Sequence, residues 1–326
     1  MLVMNRKIRV WKLAAIIFAI VVFCFLTLRI SNFIHIFGKH AGDALTQQQV
    51  LDAYEINKVD ETSAVVPRII HQIFHNWTDP DHESLPADWN ATRQTCLSFN
   101  PEWEHLLWTT KSSRAFLEKE YAWFLPTYDN YKLPIQKIDA VRYFLIRHYG
   151  GIYIDLDNGC RHSLEPLRYY PAWVTDGGHG ALSNNILGGE PQHAFWTLLT
   201  DSLNSYAWNY PLPYLTICYS TGQWFETAIW EKFHRRRGNV QPLTRVMMDG
   251  RPGKAPWVFF SHSRGGTWDN WDNKLFQWIG EHVGGFILIL AVLTISTLAA
   301  ALPIWKGIRR FYSRSGLVER GRYRPV

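Results

Sequence analysis

Zinc-ligand spacing is missing from this chain. Its 326 residues contain four cysteines, none in a Cys-x-x-Cys pair and none spaced with histidines as a ligand set, which excludes a structural zinc module. There is no low-complexity tract and no internal repeat, so neither a disordered linker protein nor a solenoid is expected. Acidic residues are absent from positions 1–12, and residues 306–326 hold only Glu319. No small-residue cleavage site follows the first apolar run, which favours a retained anchor over a cleaved signal peptide.

What is present begins at the two ends. Residues 13–28 read LAAIIFAIVVFCFLTL between Lys12 and Arg29. That run is short of the ~20 residues a span needs, but Val10, Trp11 and Ile30 extend it if the two charges snorkel. Gly284 to Trp305 is a second run of 22 residues without a charge, with Pro303 and Trp305 at its end. The chain carries +6; its two tails carry +4 and +6, so the remainder carries −4. A basic balance confined to the tails argues against nucleic-acid binding. The positive-inside rule places both tails in the cytosol and the segment between the spans on the lumenal side. The sequons Asn76-Trp77-Thr78 and Asn90-Ala91-Thr92 agree with that side. Cys24 falls in the first span. Cys96, Cys160 and Cys218 are lumenal, and three thiols allow at most one disulfide. The expected order is a cytosolic tail (1–12), an anchor (13–30), a polar stalk (31–66), one α/β domain (67–283), a second span (284–305) and a basic tail (306–326).

Within the domain, residues 68–77 (RIIHQIFHNW) predict a first strand with Trp77 at its end. Residues 86–99 predict a helix broken at Pro101, residues 103–108 a second strand and residues 111–123 a second helix. Pro134 and Gly150 bracket a third helix. Ile138, Val141, Leu145 and His148 form its apolar stripe, with Asp139 and Arg142 three apart on an adjacent face. The glycine pair leads into the strand Ile152-Tyr153-Ile154, then Asp155 and Asp157. Period-two geometry puts those two acids on one face with Leu156 turned to the core. Two like charges so close call for a hard divalent cation, Mn²⁺ or Mg²⁺. Acids at the carboxyl end of a strand lie where open α/β sheets bind ligands. A guanidinium at Arg142 suits a diphosphate, and a carboxylate at Asp139 suits sugar hydroxyls. Beyond a surface ion pair, that is the reading the neighbouring Asp-x-Asp supports.

These residues carry a family resemblance. KIDAVRYFLIRHYGGIYIDLD (137–157) resembles the core motif of the Asp-x-Asp glycosyltransferases of family 32, a group that includes fungal Golgi mannosyltransferases and the large clostridial glucosylating toxins. RIIHQIF (68–74), ALSNNILGGEPQHAFW (181–196), TICYSTGQWF (216–225) and FFSHSRGGTW (259–268) are similar to its other segments, in the same order. The resemblance implies a Rossmann-like GT-A fold, a nucleotide-sugar donor, Mn²⁺ or Mg²⁺, and retention of anomeric configuration. Asp157 would bind the metal directly. Asp155 would reach the metal, the ribose or both. Asp139 and Arg142 would hold the donor sugar, and His262 would complete the metal or diphosphate site. Trp268 would close over the donor, with Trp77, Asn184 and Asn185 as further donor contacts. Two departures leave sugar and acceptor contacts open: Gln223 stands where many members have proline, and Thr267 where serine is usual. No covalent nucleophile is assigned, since no pair of carboxylates can be placed on both sides of a sugar.

Within the family, a span at each end resembles the yeast-type inositol phosphorylceramide mannosyltransferases. That implies GDP-mannose, an inositol phosphorylceramide acceptor, a Golgi membrane location and a regulatory membrane subunit as a further partner. Trp268 lies 16 positions before Gly284, so the site is expected near the bilayer. Leu275, Phe276, Trp278 and Ile279 are candidates to seat that end of the domain at the interface. The alternatives are a Golgi mannosyltransferase acting on protein-linked glycans and a non-catalytic metal-binding membrane subunit.

Overall fold

The computed structural model describes most of the chain between Ile17 and Pro303; positions 1–16, 19, 26, 29–30, 32–34, 58–60, 80, 179, 236–242, 249–256, 264, 266–269, 283, 298, 300–302 and 304–326 fall outside the description. The strands are β1 (Asp43–Thr46), β2 (Ile69–Ile73), β3 (Glu104–Trp108), β4 (Gly151–Ile154), β5 (Asn158–Cys160), β6 (Ala172–Asp176), β7 (Ser183–Gly189), β8 (Thr244–Met247) and β9 (Phe260–His262), with helices between most of them. Seven strands make one sheet in the order β1-β8-β6-β7-β4-β2-β3, and β5 pairs with β9 separately. Every neighbouring pair in the large sheet is parallel except the two that β7 makes, with β4 and β6.

That one reversed strand positions the site. Because β7 runs against β4, its beginning lies beside β4's end: Ile154 faces Ile186, and the Asp155 N–H donates to the Asn185 carbonyl at 2.9 Å. Side chains of β4 alternate between the two faces, as a strand must. Tyr153 enters one buried cluster, with Phe144, Phe195, Trp196 and Trp230, while Ile152 and Ile154 enter the other, with Val66, Ile70, Trp173 and Phe260. A helix at Pro134–Tyr149 packs on the first face. Pro134 opens it at a position where no N–H is needed. Gly150 (φ 67°) and Gly151 (φ 91°) end it in the left-handed region. A Cβ on Gly151 would stand 2.5 Å from the Ile69 carbonyl oxygen, so only glycine lets β4 approach β2 here.

Residues expected as a stalk belong to the sheet. β1 pairs in parallel with β8, and a helix at Gln47–Asn57 follows it. Gln47 is fully buried, and its Oε1 accepts from the Val258 and Phe259 N–H groups, each at 2.8 Å. The polar composition concealed this because the strand is a short edge and the helix half-buried. The helix expected over 111–123 ends at Glu120, and a 3₁₀ turn, Ala122–Phe124, follows. A disulfide joins Cys96 to Cys160, a pairing that three thiols alone left open; Cys218 stays outside it.

No single helix among the described residues is long and apolar enough to cross a membrane. The described residues between Ile17 and Leu28 are nevertheless helical, and consecutive Ile20, Val21, Val22 and Phe23 are 38–69% exposed. Residues 269–326 form a separate unit. In it, the helices Asn273–Glu281 and Gly284–Thr297, bent by 101°, are together long and apolar enough for a broken span.

Candidate active site

A cavity of about 700 Å³ opens at the carboxyl end of β4. It collects Trp77, Asp139, Arg142, Asp155, Asp157, Asn184 and Asn185 from four separate stretches of sequence. Trp77 is 38% exposed at its rim. Thus seven of the nine candidate residues meet at one place.

Asp139 and Arg142 are no surface pair: they are 3% and 2% exposed. Arg142 Nη2 lies 3.0 Å from Asp139 Oδ1 and 3.3 Å from Asp155 Oδ1. Its Nη1 donates to the Asn184 carbonyl at 2.6 Å, and its guanidinium stacks 4.7 Å over the Tyr153 ring. Asp139 also accepts from Asn184 Nδ2 and Thr221 Oγ1, both at 3.0 Å. The Tyr153 hydroxyl donates to Asp155. Burial pushes the carboxyls of Asp139 and Asp155 up, although Arg142 pulls both down. A buried ion pair of this kind is costly to break, because the survivor is left uncompensated.

The two acids of the motif do not share a strand face. β4 stops at Ile154, and Asp155-Leu156-Asp157 forms the turn into β5, closed by the Asn158 N–H to the Asp155 carbonyl at 2.9 Å. The turn, rather than the pleat, aims both carboxylates into the cavity, while Leu156 is 5% exposed. Burial and the neighbouring Asp155 push Asp157 up to about 6. Asp157 Oδ1 accepts from Asn158 Nδ2 at 2.7 Å, and the Asp157 carbonyl accepts from the Ser263 N–H at 2.7 Å.

His262 is on β9, opposite Asn158, but its ring is exposed and its Nδ1 lies 3.3 Å from Asn158 Oδ1. Among the described residues, no three His, Cys, Asp or Glu side chains are grouped to hold a metal ion. Of the expected trio, Asp155 and Asp157 line the cavity, while His262 stands beside the turn, near enough to pull both carboxyls down. Their chemistry still fits a hard divalent cation. Asp139 and Asp155 share the Arg142 guanidinium, whereas Asp157, raised first by burial and then by Asp155, has no Lys or Arg in ion-pair contact among the described residues. Trp268 and Thr267 lie outside the described residues; Gln223 lines the cavity.

Several residues escaped the sequence reading. Gly265 sits against the motif: a Cβ there would stand 2.1 Å from Asp157 Oδ2. Thr221, within the recognised Ser-Thr-Gly segment, bonds Asp139. His75 lines the cavity, bonded to Ser113 Oγ at 3.0 Å, and burial lowers its imidazole to about 4. Glu226 is fully buried, with neither carboxylate oxygen partnered among the described residues, and burial raises it far above the usual range. Thr221 and Gly265 had a signal, their places in the segments 216–225 and 259–268. The others are set by long-range contacts.

Residues 86–173 match the model of the glycosyltransferase sugar-binding region containing the DXD motif. The mannosyl phosphorylinositol ceramide synthase SUR1 of Saccharomyces cerevisiae is 36% identical over 67% of this chain and 56% of its own length. Inositol phosphoceramide mannosyltransferase 2 of Schizosaccharomyces pombe is 35% identical over 78% of this chain and 75% of its own. The chain belongs to the DXD glycosyltransferases. A third relative, the mannosyl phosphorylinositol ceramide synthase CSH1 of Saccharomyces cerevisiae, is 32% identical over 83% of this chain and 73% of its own length. The chain thus spans little more than half of SUR1 and about three quarters of the other two. Among solved structures, the PaToxG glycosyltransferase covers 57% of this chain at 16% identity with a TM-score of 0.40, too low to bear on the fold. For a DXD glycosyltransferase the family model ends at β6, so Asn184, Thr221 and Gly265 lie beyond the matched region.

Proposed function

We propose that this glycosyltransferase is membrane-bound, adopts a GT-A fold, and moves mannose from GDP-mannose to inositol phosphorylceramide with retention of configuration. The acceptor and sugar rest on the names of the relatives. The transfer chemistry rests on one observation: a buried Arg142 held among Asp139, Asp155 and Asn184 beside an uncompensated Asp157 in an open cavity.

Asp157 and Asp155 would hold Mn²⁺ or Mg²⁺, which neutralises the charge that builds on a leaving diphosphate. Arg142 supplies a fixed positive charge that needs no reorganisation as the glycosyl-phosphate bond breaks. Asp139 is locked by Thr221, Asn184 and Arg142, so it fixes the guanidinium and presents a rigid acceptor wall to sugar hydroxyls. Trp77 at the rim offers a flat ring to the donor.

A Golgi membrane with the catalytic domain lumenal and both tails cytosolic fits the charge pattern. It also fits the Cys96–Cys160 disulfide, which persists in oxidising compartments. A regulatory membrane subunit is part of the same proposal. The test uses microsomes bearing the full chain, offered GDP-mannose or UDP-sugars, with lipid products separated. A mannosylated inositol phosphorylceramide from GDP-mannose alone, lost on chelation and restored by Mn²⁺, is expected. Faster transfer to a soluble oligosaccharide than to the lipid would replace this acceptor.

A further inference from the structure

Between Asp201 and Glu226 the chain carries no charge over residues 202–225 (SLNSYAWNYPLPYLTICYSTGQWF). Charged residues make up 19% of the sequence, so about five would be expected in such a stretch at uniform density. Burial explains the lack over residues 216–225, most of which are enclosed, but not over residues 208–211, which are exposed. Trp208 is 69% exposed and Tyr210 is 39% exposed, although both are large aromatics. Large aromatics left exposed in a charge-free stretch mark a candidate interaction surface.

The segment is two-sided. Its inner side is a wall of the active site: Ile217, Gly222 and Gln223 line the cavity, and Thr221 bonds Asp139. Its other side is a cluster of ring contacts around Trp224, itself only 5% exposed, with Tyr210 and Phe37 at its open edges. Tyr210 meets Tyr219 at 5.5 Å, Tyr219 meets Trp224 at 5.1 Å, and Tyr214 meets Trp224 at 5.6 Å. Phe37, 41% exposed, adds its ring edge to Trp224 at 5.5 Å. Phe37 comes nine positions after Leu28, the last residue of the exposed apolar run that begins at Ile17. Phe37 thus ties the aromatic cluster to the chain segment that follows the N-terminal apolar run.

We propose that residues 202–225, together with Phe37, form a lipid-facing belt that seats the Ile217–Gln223 wall of the cavity against the bilayer, an inference that rests on the membrane attachment proposed above. Tyrosine and tryptophan are the residues of the membrane interface, with an apolar ring and a polar tip. The Trp208 indole N–H already donates to the Ser205 carbonyl at 3.1 Å, so its ring can leave water without orphaning a donor. A charge-free surface offers nothing to pair with a charged protein partner, whereas it enters lipid without a desolvation penalty for ions. The belt would let a lipid headgroup reach the donor from the Gly222–Gln223 side while its acyl chains stay in the membrane.

The experiment uses the full chain in phosphatidylcholine vesicles containing inositol phosphorylceramide, with and without brominated acyl chains. Wild type is compared with Trp208→Ser and with Trp208→Ser/Tyr210→Ser. Bromolipid should quench the fluorescence component that Trp208→Ser removes. The double variant should float with vesicles as wild type does and hydrolyse the nucleotide sugar at the wild-type rate. It should need about tenfold more lipid acceptor in the bilayer for half-maximal transfer, a modest loss of docking affinity. A floating chain whose Trp208 component is unquenched overturns the belt and points to a protein partner on that face. Equal loss of hydrolysis and transfer overturns it in favour of a packing role. A chain that does not float removes the membrane reading and the belt together.

Discussion

Asp157→Asn should separate stability from activity. Asp157 is raised from 3.8 to about 6 by burial and by Asp155. A folded-state value above the unfolded one means that the folded chain holds the proton more tightly. Below about pH 4 both states are protonated and nothing is lost. As pH rises through about 6 the folded state must ionise a carboxyl it disfavours, and at neutral pH the penalty is complete. Two units correspond to about 3 kcal/mol, an upper bound because the group is partly solvated. Asparagine keeps the shape and can still accept from Asn158 Nδ2 through Oδ1. In divalent-free buffer at neutral pH the variant should therefore unfold at a higher temperature, by up to roughly 10 °C for a domain of this size. The advantage should shrink below about pH 6 and vanish near pH 4. Adding Mn²⁺ should raise the wild-type midpoint and leave the variant's unchanged, while transfer by the variant falls by about 10²-fold or more. Thermal unfolding of the purified full chain across that pH range, paired with a transfer assay, reads all of this. A variant less stable than wild type at neutral pH, or a gap that does not change with pH, would refute the assignment of uncompensated charge to Asp157.

Gly265→Ala should lower transfer at least about tenfold with little change in unfolding temperature, because the new methyl would stand 2.1 Å from Asp157 Oδ2 and must displace the carboxylate. Metal titration should show a weaker Mn²⁺ requirement curve for the same variant. Arg142→Met should cost about 3–5 kcal/mol in urea unfolding, since it strands buried Asp139 beside Asp155; Arg142→Lys should recover part of the stability without the transfer rate. Cys96→Ser/Cys160→Ser should lose about 2–4 kcal/mol, and dithiothreitol should destabilise wild type to the same level while leaving the double variant unmoved.

How much could be read beforehand depended on how local each cause was. The Pro134–Tyr149 helix and β4 were legible because the signals are adjacent: a proline, a 3.6-residue stripe, two glycines and three apolar residues. Asp139, Arg142, Asp155 and Asp157 were legible for the same reason, falling within 19 consecutive positions. Their burial was not, because Asp139 is enclosed by Thr221 and Asn184, 82 and 45 positions away. The strand-face argument for the two motif acids was replaced by a turn because Asn158 starts β5 and pairs with β9, over 100 positions later. β1 was hidden by the same kind of distance: its partner is β8, 201 positions on. The Cys96–Cys160 bond needed the third dimension to choose among three pairings.

The edge strand β1 also fixes where the domain can be cut from the apolar segment that precedes it. Severed at residue 67, the domain would lose the strand that covers β8 and the Gln47 acceptor for Val258 and Phe259. It would expose a bare sheet edge, the template on which chains stack into aggregates. Severed just before Gly38, it would keep the His40–Glu231 contact at 3.3 Å, the Arg245 bond to the Gly42 carbonyl at 3.3 Å, and the whole sheet. Under the membrane attachment proposed above, a protease that releases the folded domain would have to cut ahead of β1; a cut within or after β1 would release a chain prone to self-association.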